Sequence, residues 1–112
     1  METTLIKQAQ KIATHYFGIS GEVKILPGEL DLNFYVVSND NKKFILKIAN
    51  EKEVLTNLQL QNAVIKHLSS ASSGLNASKV CTSLSGEEIL HIDIDGLGLR
   101  FVRLLTWIDG RP

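Results

Sequence analysis

The hydrophobic periodicity of the chain changes from helical to strand-like and back again, and this order restricts the fold to a sheet accompanied by two helices. Residues 4–17 and 54–68 repeat apolar side chains at the spacing of an α-helix. Elsewhere apolar and polar residues alternate in short segments bounded by Pro, Gly, Asn and Asp, as is typical of β-strands. These segments are residues 23–26, 33–38, 43–49, 79–84, 88–94 and 99–108.

Short connections between consecutive strands favour antiparallel neighbours, and Asp95-Gly96 is a strong hairpin signal. We therefore predict an α+β fold in a single domain, with an antiparallel sheet of about five strands, one crossing helix and an N-terminal helix. The apolar stripe of the crossing helix is predicted to face the sheet, with Asn62 and Lys66 away from its centre. Its members are Val54, Leu58, Ile65 and Leu68.

The charge balance of the 112 residues excludes several classes of partner. Twelve basic and twelve acidic residues give a formal net charge of zero, so the chain has no overall positive field that would attract nucleic acid or an anionic membrane. Cys81 is the single cysteine, which excludes an intrachain disulfide and a multi-cysteine metal site. Because no charged-then-apolar leader and no long apolar run is present, we expect a cytoplasmic protein.

Lys47 is the residue that most strongly indicates chemistry. Alternation along residues 43–49 places Lys47 on one face of its strand with Ile45 and Ala49, and Leu46 on the other face. An ammonium between small apolar neighbours needs an anion. The alternative is a lysine at the rim of the sheet whose stem lies along apolar surface while its head reaches water.

Three other segments surround this lysine strand in the order found in a known enzyme family. They are the turn-forming stretch L-P-G-E-L-D-L-N-F-Y-V-V at residues 26–37, the helix at 54–68 and the closing stretch V-R-L-L-T-W-I-D-G-R-P at residues 102–112. Together they resemble aminoglycoside phosphotransferase-like and choline kinase-like enzymes, most of all the hydroxylysine kinase-like members. The resemblance covers residues 5–112 and implies the N-terminal lobe of a protein-kinase-like fold.

The resemblance implies a site for ATP around the lysine strand. Lys47 would hold the α- and β-phosphates, and Ile45 would lie under the adenine. The loop that contains Gly28 and leads to Asn33 would cover the phosphates with backbone amides. Gln61 occupies the position where the family has a glutamate that pairs with the strand lysine.

A neutral amide at position 61 leaves two possibilities for orienting Lys47. The oxygen of Gln61 accepts a hydrogen bond from Lys47, or a carboxylate such as Glu51 or Glu53 supplies the pairing.

In the closing segment the resemblance places Leu105 behind the adenine. The backbone carbonyl of Thr106 and the backbone amide of Ile108 would then bind the edge of the base.

The chain offers no candidate for the catalytic base or for a metal ligand. His91, Asp93 and Asp95 share one strand face, but Gly98 and Arg100 occupy the places where the family's catalytic loop needs an asparagine. We interpret these residues as a solvated polar face. The resemblance places the base and the magnesium ligands in a second lobe that follows residue 112.

We therefore expect the ATP-binding lobe of a kinase that phosphorylates a hydroxyl of an amine- or amino-acid-like metabolite, inactive by itself. Its partners would be ATP, a small-molecule acceptor and either a second lobe or a fused domain. Relatives of this branch also occur fused to class III aminotransferases that use pyridoxal phosphate. The alternative is a non-catalytic module for ligand sensing or docking. Apolar surface meant for a second lobe would favour self-association of the chain alone.

Overall fold

The computed structural model describes residues 2–28, 30–71 and 78–107. These described residues form two helices and six strands. In chain order they are α1 (Glu2–Phe17), β1 (Gly21–Leu26), β2 (Leu32–Ser38), β3 (Lys43–Ile48), α2 (Leu55–Ala71), β4 (Val80–Cys81), β5 (Leu90–Ile94) and β6 (Gly98–Thr106). The predicted α+β class is confirmed.

The strands form one antiparallel sheet in the order β1-β2-β3-β6-β4, and β5 also pairs with β6. Strand β6 is nine residues long, so β5 pairs with its first half and the short β4 with its second half along the same edge. The long connection through α2 returns the chain to β6, which pairs with β3. Strands β3 and β6 therefore lie in the middle of the sheet, with loops and helices around them.

The hydrophobic core lies between α1 and one face of the sheet. Alternate residues of every long strand point into it, since side chains on a strand change face at each step. The fully enclosed members are Ala9, Phe34, Val36, Leu46, Val102 and Leu104, each with no exposed surface. Gly18 ends α1 with φ of 70°, a conformation that favours glycine after a helix.

The inward face of α2 differs from the predicted apolar stripe. Between residues 55 and 68 of this helix, Leu58 and Asn62 are the buried residues, at 1% and 2% exposure. Val54 and Leu68 are both 56% exposed, so their assignment to the inner face is wrong. The reason lies in the surface that α2 covers, because its inner face also bonds to the polar side chain of Arg103 through Gln61 and Asn62.

The predicted strand at residues 79–84 is shorter than expected, because a serine-rich turn replaces its second half. The amide of Ser83 donates to the carbonyl of Glu87 at 2.8 Å, and the Ser83 hydroxyl accepts from the amide of Glu87 at 3.1 Å. Serine side chains that bond to nearby backbone groups compete with sheet pairing. Only Val80 and Cys81 remain as β4.

Strand β5 alternates buried and exposed residues as predicted. His91 and Asp93 are exposed, and the His91 ring stacks on Phe101 at 4.3 Å between ring centres. Within residues 2–28, 30–71 and 78–107, no group of three His, Cys, Asp or Glu side chains is arranged to hold a metal ion. No helix in those ranges is long and apolar enough to cross a bilayer.

Candidate functional site

The face of the sheet opposite α1 carries a row of polar side chains across β2, β3 and β6. The strand register places Asn33 opposite Lys47 and Lys47 opposite Arg103. Directly opposed residues project from the same face, so Asn33, Lys47 and Arg103 form what we call the polar row. The structure thus brings together two predicted site residues and adds Arg103, for which the sequence predicted no role.

Next to the polar row lies a second, largely apolar row on the same face. Here Tyr35 is opposite Ile45, and Ile45 is opposite Leu105. Leu105 is 8% exposed, and the ring of Trp107 lies 5.0 Å from that of Tyr35 at an angle of 58°. The apolar row, defined as Tyr35, Ile45 and Leu105, is a surface on which a flat aromatic ring can pack.

The ammonium of Lys47 is oriented by an amide. Its Nζ donates to Oδ1 of Asn33 at 2.9 Å, while the neighbouring residues Leu46 and Ile48 point into the core on the other side. The side chain is half-buried. Gln61, predicted as an acceptor for Lys47, is not the partner that the structure shows, and neither Glu51 nor Glu53 pairs with Lys47.

The electrostatic surroundings of Lys47 disfavour its own charge. Burial lowers the pKa of Lys47, the positive charge of Arg103 lowers it further, and Asp31 acts in the opposite direction. In the part of the chain that the structure describes, no carboxylate forms an ion pair with Lys47. A bound anion would therefore give this cation the direct ionic contact that Asp31 does not provide.

Arg103 is the second cation of this face and is almost fully enclosed, at 3% exposure. Its Nη1 donates to Oδ1 of Asn62 at 2.8 Å, and its Nη2 donates to Oε1 of Gln61 at 2.9 Å. Burial lowers the pKa of Arg103, whereas Asp31 and Glu53 raise it, and a guanidinium in proteins stays protonated. Gln61 thus accepts from Arg103 and not from Lys47, because the two-pronged guanidinium reaches the helix.

Asn62 is a residue that the sequence analysis placed on the wrong side of α2. It is buried, and its Nδ2 has no hydrogen-bond partner among the described residues. An unpaired buried donor is costly. The burial of Asn62 is explained by its side-chain oxygen, which accepts a hydrogen bond from Arg103. The sequence signal that could have indicated the contacts of Asn62 and Gln61 is Arg103 itself, an arginine between core residues Val102 and Leu104.

The loop between β1 and β2 lies close to the polar row. A side chain at Gly28 would place its Cβ 2.6 Å from the carbonyl oxygen of Asp31 and 3.0 Å from Nδ2 of Asn33, so only glycine fits there. Oδ1 of Asp31 accepts from both the backbone amide and Nδ2 of Asn50, each at 3.0 Å. These contacts fix the end of the loop to the segment after β3. Glu29 lies outside the described residues.

The end of β6 shows only part of the predicted base-binding edge. The amide of Thr106 donates to the carbonyl of Lys79 at 2.9 Å, and its hydroxyl accepts from the amide of Lys79 at 2.8 Å. The amide of Trp107 donates to the carbonyl of Lys43 at 3.0 Å. Ile108, whose amide was assigned to the base edge, lies outside the described residues.

Two surface grooves lie away from this face. One, of about 420 Å³, is lined by residues that follow α1 and by the turn between β2 and β3, including Gly18, Ser38 and Asp40. The other, of about 710 Å³, runs along α1 beside Lys7 and Lys11. Neither groove includes a residue of the polar row or the apolar row.

The chain is similar in sequence and in structure to known kinases. No protein-family model matches the chain. The chain is 28% identical over 109 residues to hydroxylysine kinase of Danio rerio, an alignment that covers 92% of this chain and 30% of that protein. In structure it is similar to the amicoumacin kinase hAmiN in complex with AMP-PNP, Ca²⁺ and Ami, with a TM-score of 0.74 and 18% identity over 99% of this chain and 35% of that one.

These similarities confirm the predicted resemblance to the N-terminal lobe of aminoglycoside phosphotransferase-like kinases. The structural match shows the fold, and the sequence match extends over nearly all of the chain. The chain spans 30% of the length of the hydroxylysine kinase and 35% of the amicoumacin kinase.

Proposed function

We propose that this chain is the ATP-binding lobe of a small-molecule kinase that transfers phosphate to a hydroxyl of an amine- or amino-acid-like metabolite. The observation that carries the proposal is the polar row, in which Lys47 stands beside Arg103 and, among the described residues, has the neutral Asn33 as its hydrogen-bond partner. A polyphosphate supplies the negative charge that this row needs. ATP also fits the neighbouring apolar row, because its base is flat and aromatic.

The predicted site residues other than Gln61 keep their roles in this proposal. Lys47, oriented by Asn33, binds the phosphates, and the glycine at position 28 allows the loop backbone to come close to them. Ile45 and Leu105 pack against the base. The Thr106 carbonyl and the Ile108 amide bind its edge through backbone groups.

The acceptor class is proposed from the relatives, whose names are those of kinases of hydroxylysine and amicoumacin. Phosphoryl transfer also needs a residue that orients the acceptor hydroxyl and ligands for magnesium. We assign these to a second lobe of the complete protein, since the relatives are about three times as long as this chain. An ATP-dependent activity agrees with the cytoplasmic location that we propose.

A direct test compares the complete protein with the 112-residue chain in an assay of ADP release. Hydroxylysine and other hydroxylated amines and amino acids are supplied as acceptors with magnesium and ATP. We expect turnover by the complete protein with at least one of these acceptors and none by the chain alone. Turnover by the chain alone would contradict the assignment of the catalytic groups to another lobe.

The second candidate is a non-catalytic module for ligand sensing or docking, alone or fused to a pyridoxal phosphate-dependent aminotransferase. The observation that favours it is that α2 offers Lys47 no carboxylate. Gln61 bonds to Arg103 instead of Lys47. The sequence that follows in the gene separates the two candidates. A His-x-Asp with its asparagine and a later magnesium-binding aspartate belongs to a kinase, and their absence belongs to a module.

Exposed apolar residues on α2 agree with a covering domain. Leu60, Val64 and Leu68 follow one another at one-turn spacing and are 64%, 49% and 56% exposed. We propose that the rest of the protein covers part of this surface and that the chain alone self-associates through it.

A further inference from the structure

The inner face of α2 is attached to the sheet by a cation that belongs to the sheet. The buried guanidinium of Arg103 bonds to two consecutive residues of α2, Asn62 and Gln61. A second long-range side-chain link from α2 joins Lys66 to Glu88 at 2.7 Å on the exposed surface. Because exposed ion pairs hold weakly, the fork of Arg103 is the polar contact that sets the position of the helix.

The positive charge of Arg103 is not cancelled by the groups that it binds. Both of its acceptors are neutral amides, and Lys47 on the adjacent strand also has a neutral acceptor. Two carboxylates act on these cations from a distance: Asp31, in the β1–β2 loop, acts on both, and Glu53, in the segment before α2, acts on Arg103.

Each of those carboxylates is already engaged elsewhere. Asp31 accepts from Asn50, and Glu53 accepts from the amide of Val54 and from Asn57. Both carboxylates keep their negative charge in these hydrogen bonds, but in the described part of the chain neither is bonded to Lys47 or Arg103. The row therefore holds two cations whose bonded acceptors are neutral amides.

The residue type at position 62 also keeps the groups that bind Arg103 neutral. An aspartate there would form an ion pair with Arg103 and would remove the unpaired Nδ2 donor of Asn62. It would also cancel the charge next to Lys47. Asparagine attaches the helix and leaves the charge in place.

We propose that Arg103 is the positioning residue of the phosphate site: its fork fixes α2 through Asn62 and Gln61, and its charge, which these neutral amides do not pair, favours a polyphosphate in the polar row. The inference rests on the proposed function, because the anion is taken to be the triphosphate of ATP. Arg103 is too deeply buried to contact the phosphates, so it acts through the placement of α2 and through its charge beside Lys47.

The test uses the complete protein and three variants, Asn62→Asp, Arg103→Lys and Arg103→Met. Three quantities are measured: hydrogen exchange of the α2 amides, the titration of Lys47 by NMR of labelled lysine side chains, and the affinity for magnesium-ATP and for inorganic tripolyphosphate. A residue that only holds the structure together would change the first quantity and leave the titration of Lys47 unchanged.

Asn62→Asp separates the attachment of α2 from the effect of the Arg103 charge on Lys47. We expect α2 to exchange no faster than in the wild type, the pKa of Lys47 to rise because a negative charge has been added, and the affinity for both ligands to fall severalfold. An affinity for these ligands that stays equal or increases would overturn the role of the Arg103 charge.

The two substitutions of Arg103 complete the test. Arg103→Lys keeps the charge and loses the fork, so α2 should exchange faster while Lys47 titrates as before and part of the affinity remains. Arg103→Met should loosen α2, raise the pKa of Lys47 and lower the affinity further. If Arg103→Met does not fold, the other two variants decide.

Failure of this inference and failure of the proposed function give different results. Lack of binding of ATP and of tripolyphosphate by the wild type would overturn the proposed function and, with it, the selectivity of the row. Binding by the wild type, together with unchanged α2 exchange and unchanged Lys47 titration in both variants of Arg103, would overturn the role of Arg103 alone.

Discussion

The two faces of the sheet are built on opposite principles, although both are made by alternate residues of the same strands. The face under α1 is apolar and closed, with Leu46 and Leu104 fully buried. The other face carries Lys47 and Arg103, held by neutral amides and covered in part by α2. The apolar core is therefore on one side of the sheet, and the proposed ligand site is on the other.

This difference shows how a small lobe can hold two neighbouring cations. Placing two cations beside each other destabilises the folded state, and the apolar face must offset that cost through buried surface. Substitutions on the two faces should consequently affect different measurements, and the following predictions test that separation.

The largest effect is expected from Leu104→Ala on the core face. Removing a fully buried leucine side chain should lower the free energy of unfolding by about 2–5 kcal/mol, measured by urea denaturation of the 112-residue chain. The matched control is Leu99→Ala on the same strand, where the side chain is 56% exposed and the change should stay within about 0.5 kcal/mol. Equal effects of the two substitutions would remove the claim that the α1 face supplies the stability.

Lys47→Ala addresses the other face. In the complete protein it should lower kcat/KM by about tenfold or more, about 1.4 kcal/mol of transition-state stabilisation, because the phosphates lose their cation. The fold should stay intact by circular dichroism, since the ammonium has no ion pair in the described part of the chain. Lys11→Ala, exposed on α1, is the control and should leave the kinetics unchanged.

Gly28→Ala tests whether ATP binding depends on the position of the β1–β2 loop relative to the polar row. The new Cβ would lie 2.6 Å from the Asp31 carbonyl, so the loop must shift, and the affinity for ATP should fall severalfold by calorimetry of the complete protein. Leu30→Ala in the same loop removes a side chain that is 78% exposed and should change the affinity little. A larger effect at Leu30 than at Gly28 would show that the loop acts through side chains.

The smallest effect is expected from Lys66→Ala at the outer side of α2. This lysine pairs with Glu88, but its side chain is 58% exposed, and such pairs contribute about 0–1 kcal/mol to the free energy of unfolding. Thermal unfolding should show that change or less. A loss comparable to that of Leu104→Ala would mean that the exposed pair, and not Arg103, attaches α2.

Sequence reasoning reached the fold because its main signals are local. The alternation of residues 43–49 identifies both the face of Lys47 and the core face, and the Asp95-Gly96 hairpin, with φ of 84° at Gly96, pairs β5 with β6 as predicted. Helix α1 buries Ala9 and Ile12, two residues of its predicted apolar positions. Period and turn chemistry are sufficient for these elements.

The inner face of α2 could not be read in the same way. A helical stripe is informative when the surface opposite it is apolar, but α2 faces Arg103, so Asn62 is buried while Val54 and Leu68 are exposed. The partner of Gln61 depends on the pairing of β3 with β6, a contact between segments far apart in the chain. No local pattern in residues 54–68 contains that information.

The most direct test of the central claim is a crystal structure of the complete protein with magnesium and a non-hydrolysable ATP analogue. We expect a phosphate oxygen within hydrogen-bonding distance of Nζ of Lys47 and the base packed on Ile45 and Leu105. A nucleotide bound elsewhere, with the Lys47 ammonium directed into bulk water, would contradict the account.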